Sequence, residues 1–239
     1  MAINPLEYTR KLWHDHDQGA KQTYQNIIDQ QRLHQEKTQF ETAKRIADQD
    51  PNNLQMIKMT ADCYSLGRGV VQNETLAMSY YKKAAKLNDV QSMTTLGVFY
   101  LREENQNYNK AFKWLLKASE QGEDTAMSSL ALCYEKGWGV HVDLVQSAVW
   151  CQKGADRGNP AAMLMLAVKY FKGLGVEQNK SQVNYWLRQG AAKDDPTCKA
   201  YLSAFLVNHS QFSRHPNEWF NFQNKEDHSD FIKALSILC

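Results

Sequence analysis

Long hydrophobic runs are missing from this sequence of 239 residues. No stretch approaches the roughly 18 consecutive apolar residues that a membrane-spanning helix needs, so we predict no membrane span. The first ten residues also lack an apolar core of signal-peptide length, and we therefore expect a cytoplasmic protein. Charge of one sign does not dominate either, because 28 Lys and Arg stand against 26 Asp and Glu. This balance argues against nucleic acid as the partner.

Cysteine is sparse and irregularly spaced. Five cysteines stand at positions 63, 133, 151, 198 and 239, and no Cys-x-x-Cys pair occurs. This pattern favours reduced thiols packed in a core over a zinc site or a disulfide framework. His14 and His16 offer two nitrogens to a metal ion, but no second pair of ligands stands beside them. We therefore predict no metal site.

Catalytic motifs are missing as well. The sequence contains no nucleophile elbow, no Walker loop, no His-Glu-x-x-His helix and no dinucleotide fingerprint. Three Gly-x-Gly-Val segments, beginning at Gly67, Gly137 and Gly173, could be mistaken for phosphate-binding loops. Each follows a predicted helix instead of a strand and recurs at a fixed period, which favours a structural turn. We predict no enzymatic activity and no cofactor.

What the sequence does contain is an internal repeat. Four tyrosines recur at intervals of 36, 34 and 36 residues: Tyr64, Tyr100, Tyr134 and Tyr170. A second aromatic series is Tyr80, Trp114, Trp150 and Trp186, and each member is followed four residues later by Ala84, Ala118, Gly154 or Gly190. Self-similarity at this period predicts a solenoid of stacked helical hairpins, with the second aromatic series in its core.

The third copy shows how one hairpin is built. Met127, Leu130, Ala131 and Tyr134 fall at i, i+3, i+4 and i+7, which is one face of a helix. Gly137 then ends the helix, because glycine accepts a left-handed backbone without steric cost. A hairpin this small cannot bury its own apolar face, so it needs neighbouring copies.

These residues resemble the Sel-one-like repeat (SLR) family, a relative of the tetratricopeptide repeat, over about residues 54–198. The sequence departs from the family pattern at Thr60, at Val183 and in the missing glycine turn after Tyr100. The resemblance implies an all-α fold, a right-handed α-solenoid of stacked antiparallel helical hairpins with N- and C-terminal capping helices. Extracellular members of the family join the two helices of a hairpin by a disulfide. Cys133 and Cys151 occupy such positions, but the expected cytoplasmic location argues against a bridge.

Three segments are expected along the chain. Residues 1–50 should form N-terminal capping helices, with a divergent first hairpin over residues 20–50. Residues 51–195 should contain four Sel-one-like repeats. Residues 196–239 should form a partial fifth repeat and a C-terminal capping helix, because residues 231–238 read as an apolar helix.

The resemblance also places a partner-binding groove on the first helices of the hairpins. By analogy with tetratricopeptide geometry, the groove takes residues nine, six and two positions before each tyrosine and the one after it. The predicted partner-binding residues are Lys58, Asp62, Thr94, Val98, Leu101, Ser128, Leu132, Glu135, Leu164, Val168 and Phe171. The later ones are apolar, and an apolar strip needs a cover. Either a partner protein or the chain's own residues, 231–238 or Leu12 and Trp13, could supply it.

The functional expectation is a cytoplasmic adaptor or regulator that binds a protein partner in this groove, the common role in the resembled family. An alternative is a bacterial immunity protein that neutralises a co-encoded toxin. A hydrolase of the cysteine-rich repeat type is a third possibility, and the missing regular cysteine pairs argue against it.

Overall fold

The computed structural model describes the backbone of residues 18–212 and the side chains of residues 21–206. Within that range the chain forms ten α-helices and no strand. The helices are α1 (Gln18–Gln49), α2 (Leu54–Leu66), α3 (Glu74–Lys86), α4 (Val90–Leu101), α5 (Tyr108–Glu120), α6 (Asp124–Lys136), α7 (Leu144–Asp156), α8 (Pro160–Lys172), α9 (Lys180–Ala192) and α10 (Pro196–Phe212). The predicted all-α class of stacked hairpins is confirmed. The apolar residues 231–238, His14, His16 and the pair Leu12 and Trp13 lie outside the described residues.

Glycine ends the first helix of three hairpins, as the repeat predicted. Gly67, Gly137 and Gly173 have φ angles of 70°, 74° and 71°, and each donates its backbone N–H to the carbonyl four residues earlier. Only glycine adopts this left-handed backbone without steric cost. In the second repeat a short 3-10 helix, Glu103–Asn105, replaces the glycine turn.

The second helix of each hairpin begins at a side-chain cap. The capping residues are Asn73, Asn107, Asp143 and Asn179, and the side chain of each accepts a hydrogen bond from the backbone N–H three residues later. Such a cap satisfies one of the N–H groups that a helix start leaves without a partner. The polar link between the two helices therefore fixes where the second one starts.

The hairpin core pairs a large aromatic ring with a small residue one turn later. Tyr80, Trp150 and Trp186 are buried, as predicted. Trp114 is partly exposed instead, and the Nζ of Lys117 lies 5.4 Å from the centroid of its ring. The small residues leave room for the next hairpin: a Cβ added to Gly190 would lie 2.3 Å from the Sγ of Cys198.

One sequence prediction about the fold is wrong. Residues 20–50 do not form a hairpin, because they belong to α1, which continues without a break for 32 residues. Neither glycine nor proline occurs between Gly19 and Pro51, so nothing in that segment ends the helix. The C-terminal half of α1 packs against α2 and buries Phe40, Ala43 and Ala47.

The contacts divide the chain into two compact units, and the division falls between Leu96 and Gly97, inside α4. In the first unit, α1 packs on α2 and α2 on α3. In the second unit, each helix from α5 to α10 packs on the next, and the first helices α6 and α8 also contact each other directly. Successive hairpins in the second unit are therefore joined mainly by packing of the second helix of one on the first helix of the next, and the contact between α6 and α8 adds to this.

The four cysteines in the described part of the chain are free thiols and are buried. Burial raises the pKa of Cys133 to about 12, and burial also raises the pKa of Cys151 to about 12. Because the thiolate is the reactive form, both should alkylate slowly in the folded protein at pH 8. Peptide mass spectrometry after timed iodoacetamide treatment measures this, with protein unfolded in urea as the control. Labelling of Cys151 at equal rates in both samples would contradict its buried position.

Candidate partner-binding site

The predicted partner-binding residues lie on the first helices, and their exposure divides them into three groups. Asp62 is exposed, whereas Thr94, Ser128 and Leu164 are buried. The remaining seven are partly exposed: Lys58, Val98, Leu101, Leu132, Glu135, Val168 and Phe171. Eight of the eleven positions can therefore offer some surface to a partner.

In the first unit, Lys58 links one hairpin to the start of the next, and Asp62 links the two helices of one hairpin. The Nζ of Lys58 lies 2.9 Å from Oδ1 of Asp89. The other carboxylate oxygen of Asp89 accepts hydrogen bonds from the backbone N–H and the hydroxyl of Ser92, at 2.9 and 2.6 Å. Burial raises the pKa of Asp89, but these hydrogen bonds and the nearby Lys58 outweigh it, and the net pKa lies below the usual value. Asp62 accepts a hydrogen bond of 2.6 Å from the hydroxyl of Tyr81.

Ser128 in the second unit repeats the contact that Lys58 makes in the first. Its hydroxyl lies 3.2 Å from Oδ1 of Asn159. The same oxygen of Asn159 caps α8 by accepting the backbone N–H of Ala162 at 2.9 Å. The residue six positions before the tyrosine thus reaches the residue that starts the next first helix, in both units. This position has a structural role that the groove analogy did not reveal.

Glu135 belongs to an ion pair that sequence reasoning missed. Its Oε2 lies 2.5 Å from the Nζ of Lys169, whose side chain is only 1% exposed. Lys169 directly precedes Tyr170, at the position that Cys63, Phe99 and Cys133 hold in the other repeats. A charged residue at a position where the other copies carry Cys or Phe was the available signal. The pair joins α6 of one repeat to α8 of the next.

Three partly exposed apolar members of the set lie on the first helices α6 and α8 of the second unit. Leu132 on α6 and Val168 on α8 are equivalent residues of successive repeats, both are partly exposed, and their helices contact each other directly. Phe171 follows Val168 by about one turn on the same helix and is also partly exposed. We call Leu132, Val168 and Phe171 the first-helix strip. Leu164, one turn before Val168, is only 7% exposed and is therefore not part of the strip.

The described part of the chain offers neither a metal-ligand cluster nor a membrane-spanning helix. Residues 21–206 contain no group of three or more His, Cys, Asp or Glu side chains that could hold a metal ion. No helix between residues 18 and 212 is both long enough and apolar enough to cross a membrane.

Comparison with known proteins agrees with the repeat. The Sel1 repeat model matches residues 59–89, 90–123, 125–159 and 160–195, which is the predicted number of copies. An F-box protein of Arabidopsis thaliana is 36% identical over 61 residues, which is 26% of this chain and 17% of that protein. The chain thus spans less than a fifth of that relative.

Two solved structures are similar over most of the chain. A Sel1 repeat protein from Oxalobacter formigenes is 25% identical, with a TM-score of 0.65 over 82% of this chain and 81% of the other. A protective antigen of uropathogenic Escherichia coli with an SLR fold is 27% identical, with a TM-score of 0.63 over 78% of this chain and 43% of the other. Because the four matched segments cover more than half of the sequence, the chain belongs to the Sel1 repeat family.

Proposed function

We propose that this protein is a non-catalytic interaction module that binds a partner protein on the first helices of its second unit. Sel1 repeats are generally protein-interaction modules. The observation that carries the proposal is the first-helix strip, in which Leu132 and Val168 stand partly exposed on two helices in direct contact. Apolar side chains that occupy pockets of a partner usually dominate the binding energy of an interface.

Glu135, a polar member of the predicted site on α6, acts differently in this proposal. It already bonds to Lys169. A partner that contacts Glu135 meets a charge whose geometry is fixed in advance, which lowers the entropy that binding costs. Glu135 therefore contributes to the choice of partner, while the strip contributes most of the affinity.

A charge placed in the strip tests the proposal. Val168→Lys should reduce partner binding about tenfold or more, because a partner would have to bury an ammonium group without a counter-ion. Quantitative mass spectrometry of proteins captured from the native source by wild-type and variant chains identifies the partner, and titration with the purified partner gives the affinity. Circular dichroism and thermal melting show whether the variant is folded.

Val145→Lys is the matched control. Val145 is also apolar and is 58% exposed, but it lies on the second helix α7. We expect this variant to bind the partner like the wild type. Loss of binding in Val145→Lys with retention in Val168→Lys would place the partner on the second helices and overturn the proposal.

A further inference from the structure

Four exposed apolar side chains of the second unit lie on or just before its second helices, outside the first-helix strip, and a fifth, Leu206, lies on α10. Val145 and Val149 on α7 are 58% and 40% exposed, and Val142, just before α7, is 61% exposed. Tyr185 on α9 is 50% exposed and stands 36 residues after Val149, at the equivalent repeat position. We call these four residues the second-helix patch. Sequence reasoning missed it, since the groove analogy concerned first helices only.

The repeat itself does not require this patch. At the positions of Val142, Val145 and Val149, the first two hairpins carry polar or charged residues. In the first repeat these are Gln72, Thr75 and Ser79, and in the second they are Gln106, Asn109 and Lys113. Hairpin packing therefore works with polar side chains at these positions. Exposed apolar residues that packing does not need favour a surface covered by something else.

The charge of the second helices indicates what kind of segment could cover the patch. The second helices of this unit, α5, α7 and α9, carry six Lys and Arg residues but only two Asp and Glu residues. Lys153 and Arg188 lie one turn beyond Val149 and Tyr185, and both are exposed. The cover should therefore combine apolar side chains with negative charge.

A segment of this sequence has that chemistry. Residues 226–238 contain three acidic residues near their start, Glu226, Asp227 and Asp230, against one basic residue, Lys233. The apolar residues Phe231, Ala234, Leu235 and Leu238 then follow at i, i+3, i+4 and i+7. Eighteen residues separate Phe212, the last of α10, from Phe231. At about 3.3 Å per residue a link of this length can span up to roughly 60 Å.

We propose that residues 226–238 pack across the second-helix patch. Phe231, Leu235 and Leu238 cover the exposed valines and Tyr185, and the acidic residues face Lys153 and Arg188. The first-helix strip is the poorer match, because its side chains are only partly exposed and Leu164 beside it is buried. The inference does not depend on the proposed function, and it leaves the first helices open to a partner.

Cysteine cross-linking tests the proposal with a residue that the chain already has. Cys239 directly follows Leu238, and the four described cysteines are buried and compete little. A disulfide forms readily only when two Cβ atoms come within about 4.5 Å of each other. In separate chains with Val142→Cys, Val145→Cys or Val149→Cys, mild oxidation should join Cys239 to at least one introduced cysteine within the same molecule. Intact-mass and peptide mass spectrometry identify the bridge.

The controls separate docking from simple tethering. Thr125→Cys and Ala161→Cys are exposed and lie on the first helices α6 and α8, and they should cross-link about tenfold or more slowly. Adding Leu235→Asp to the fastest patch variant should lower its rate to that of these controls. Faster linkage at Ala161, equal rates at all sites, or bridges only between two molecules would each overturn the proposal. Faster linkage at Ala161 would place the segment on the first helices, and equal rates at all sites would mean that the segment is not docked. Bridges only between two molecules would mean that a second copy of the chain covers the patch.

Discussion

Alanine at Gly139 should destabilise the folded chain by about 3 kcal/mol or more. Gly139 has a φ of +75°, and a left-handed backbone costs a residue with a Cβ about 1–2 kcal/mol. An added Cβ would also lie 2.3 Å from the carbonyl oxygen of Tyr108, a backbone atom that cannot rotate away. Overpacking of this kind typically costs a further 1–3 kcal/mol. Urea unfolding followed by circular dichroism measures the difference.

Gly137→Ala is the control for the backbone angle alone. Gly137 has nearly the same φ, +74°, but the nearest atom to its added Cβ would be a methyl carbon of Val142 at 3.0 Å, and the nearest backbone atom would lie at 3.5 Å. This variant should lose only the 1–2 kcal/mol of the left-handed conformation. The next turn offers a replicate, because a Cβ on Gly175 would lie 1.9 Å from the carbonyl oxygen of Leu144. Equal unfolding midpoints for Gly137→Ala and Gly139→Ala would mean that close approach of the backbone is unimportant.

These glycines show why the hairpins could be predicted from the sequence. The glycine turn appears in three of the four copies. A glycine that recurs at the same position in several copies is required by the geometry of the turn, whereas a glycine found in a single copy need not be. The paired spacing of the tyrosines and the second aromatic series fixed both helices of a hairpin in register. Helix ends followed from residues with a local physical effect, such as Gly137 in a left-handed turn and Asn179 at a cap.

Contacts between successive repeats could not be predicted in the same way. The bonds from Lys58 to Asp89 and from Ser128 to Asn159 span 31 residues and depend on the offset between neighbouring hairpins. A pattern within one repeat contains no information about that offset. The continuous α1 was missed for another reason: a hairpin was assumed at the start of the stack, although no residue there breaks a helix.

The groove analogy selected the candidate residues by helix and by position, but it did not predict their exposure. The partly exposed Leu132 and Val168 lie where the groove analogy put surface residues, whereas Leu164 at an equally predicted position is buried. Side-chain burial depends on how closely the next hairpin packs, and the repeat pattern does not encode this. The second-helix patch escaped notice because family analogy directs attention to first helices.

Glu135→Leu should destabilise the protein by about 3–5 kcal/mol, although Glu135 is partly exposed. The substitution removes the carboxylate that lies 2.5 Å from the Nζ of Lys169, and Lys169 is 1% exposed. A buried ammonium without its counter-ion loses hydration and gains nothing in return. Equilibrium unfolding in urea measures the loss. For comparison, Lys58→Met removes the more exposed partner of Asp89 and should cost about 1 kcal/mol or less.

The double variant Glu135→Leu with Lys169→Met separates the charge from the site. With both charges replaced by apolar groups, most of the lost stability should return, because no charge remains buried. If Glu135→Leu alone costs no more than Lys58→Met, Lys169 is not buried beside it. The same variant also tests Glu135 as a partner contact, because it removes the carboxylate while restoring the fold. Normal partner binding by the double variant would assign Glu135 to the joint between repeats, and weakened binding would assign it to the partner-binding surface as well.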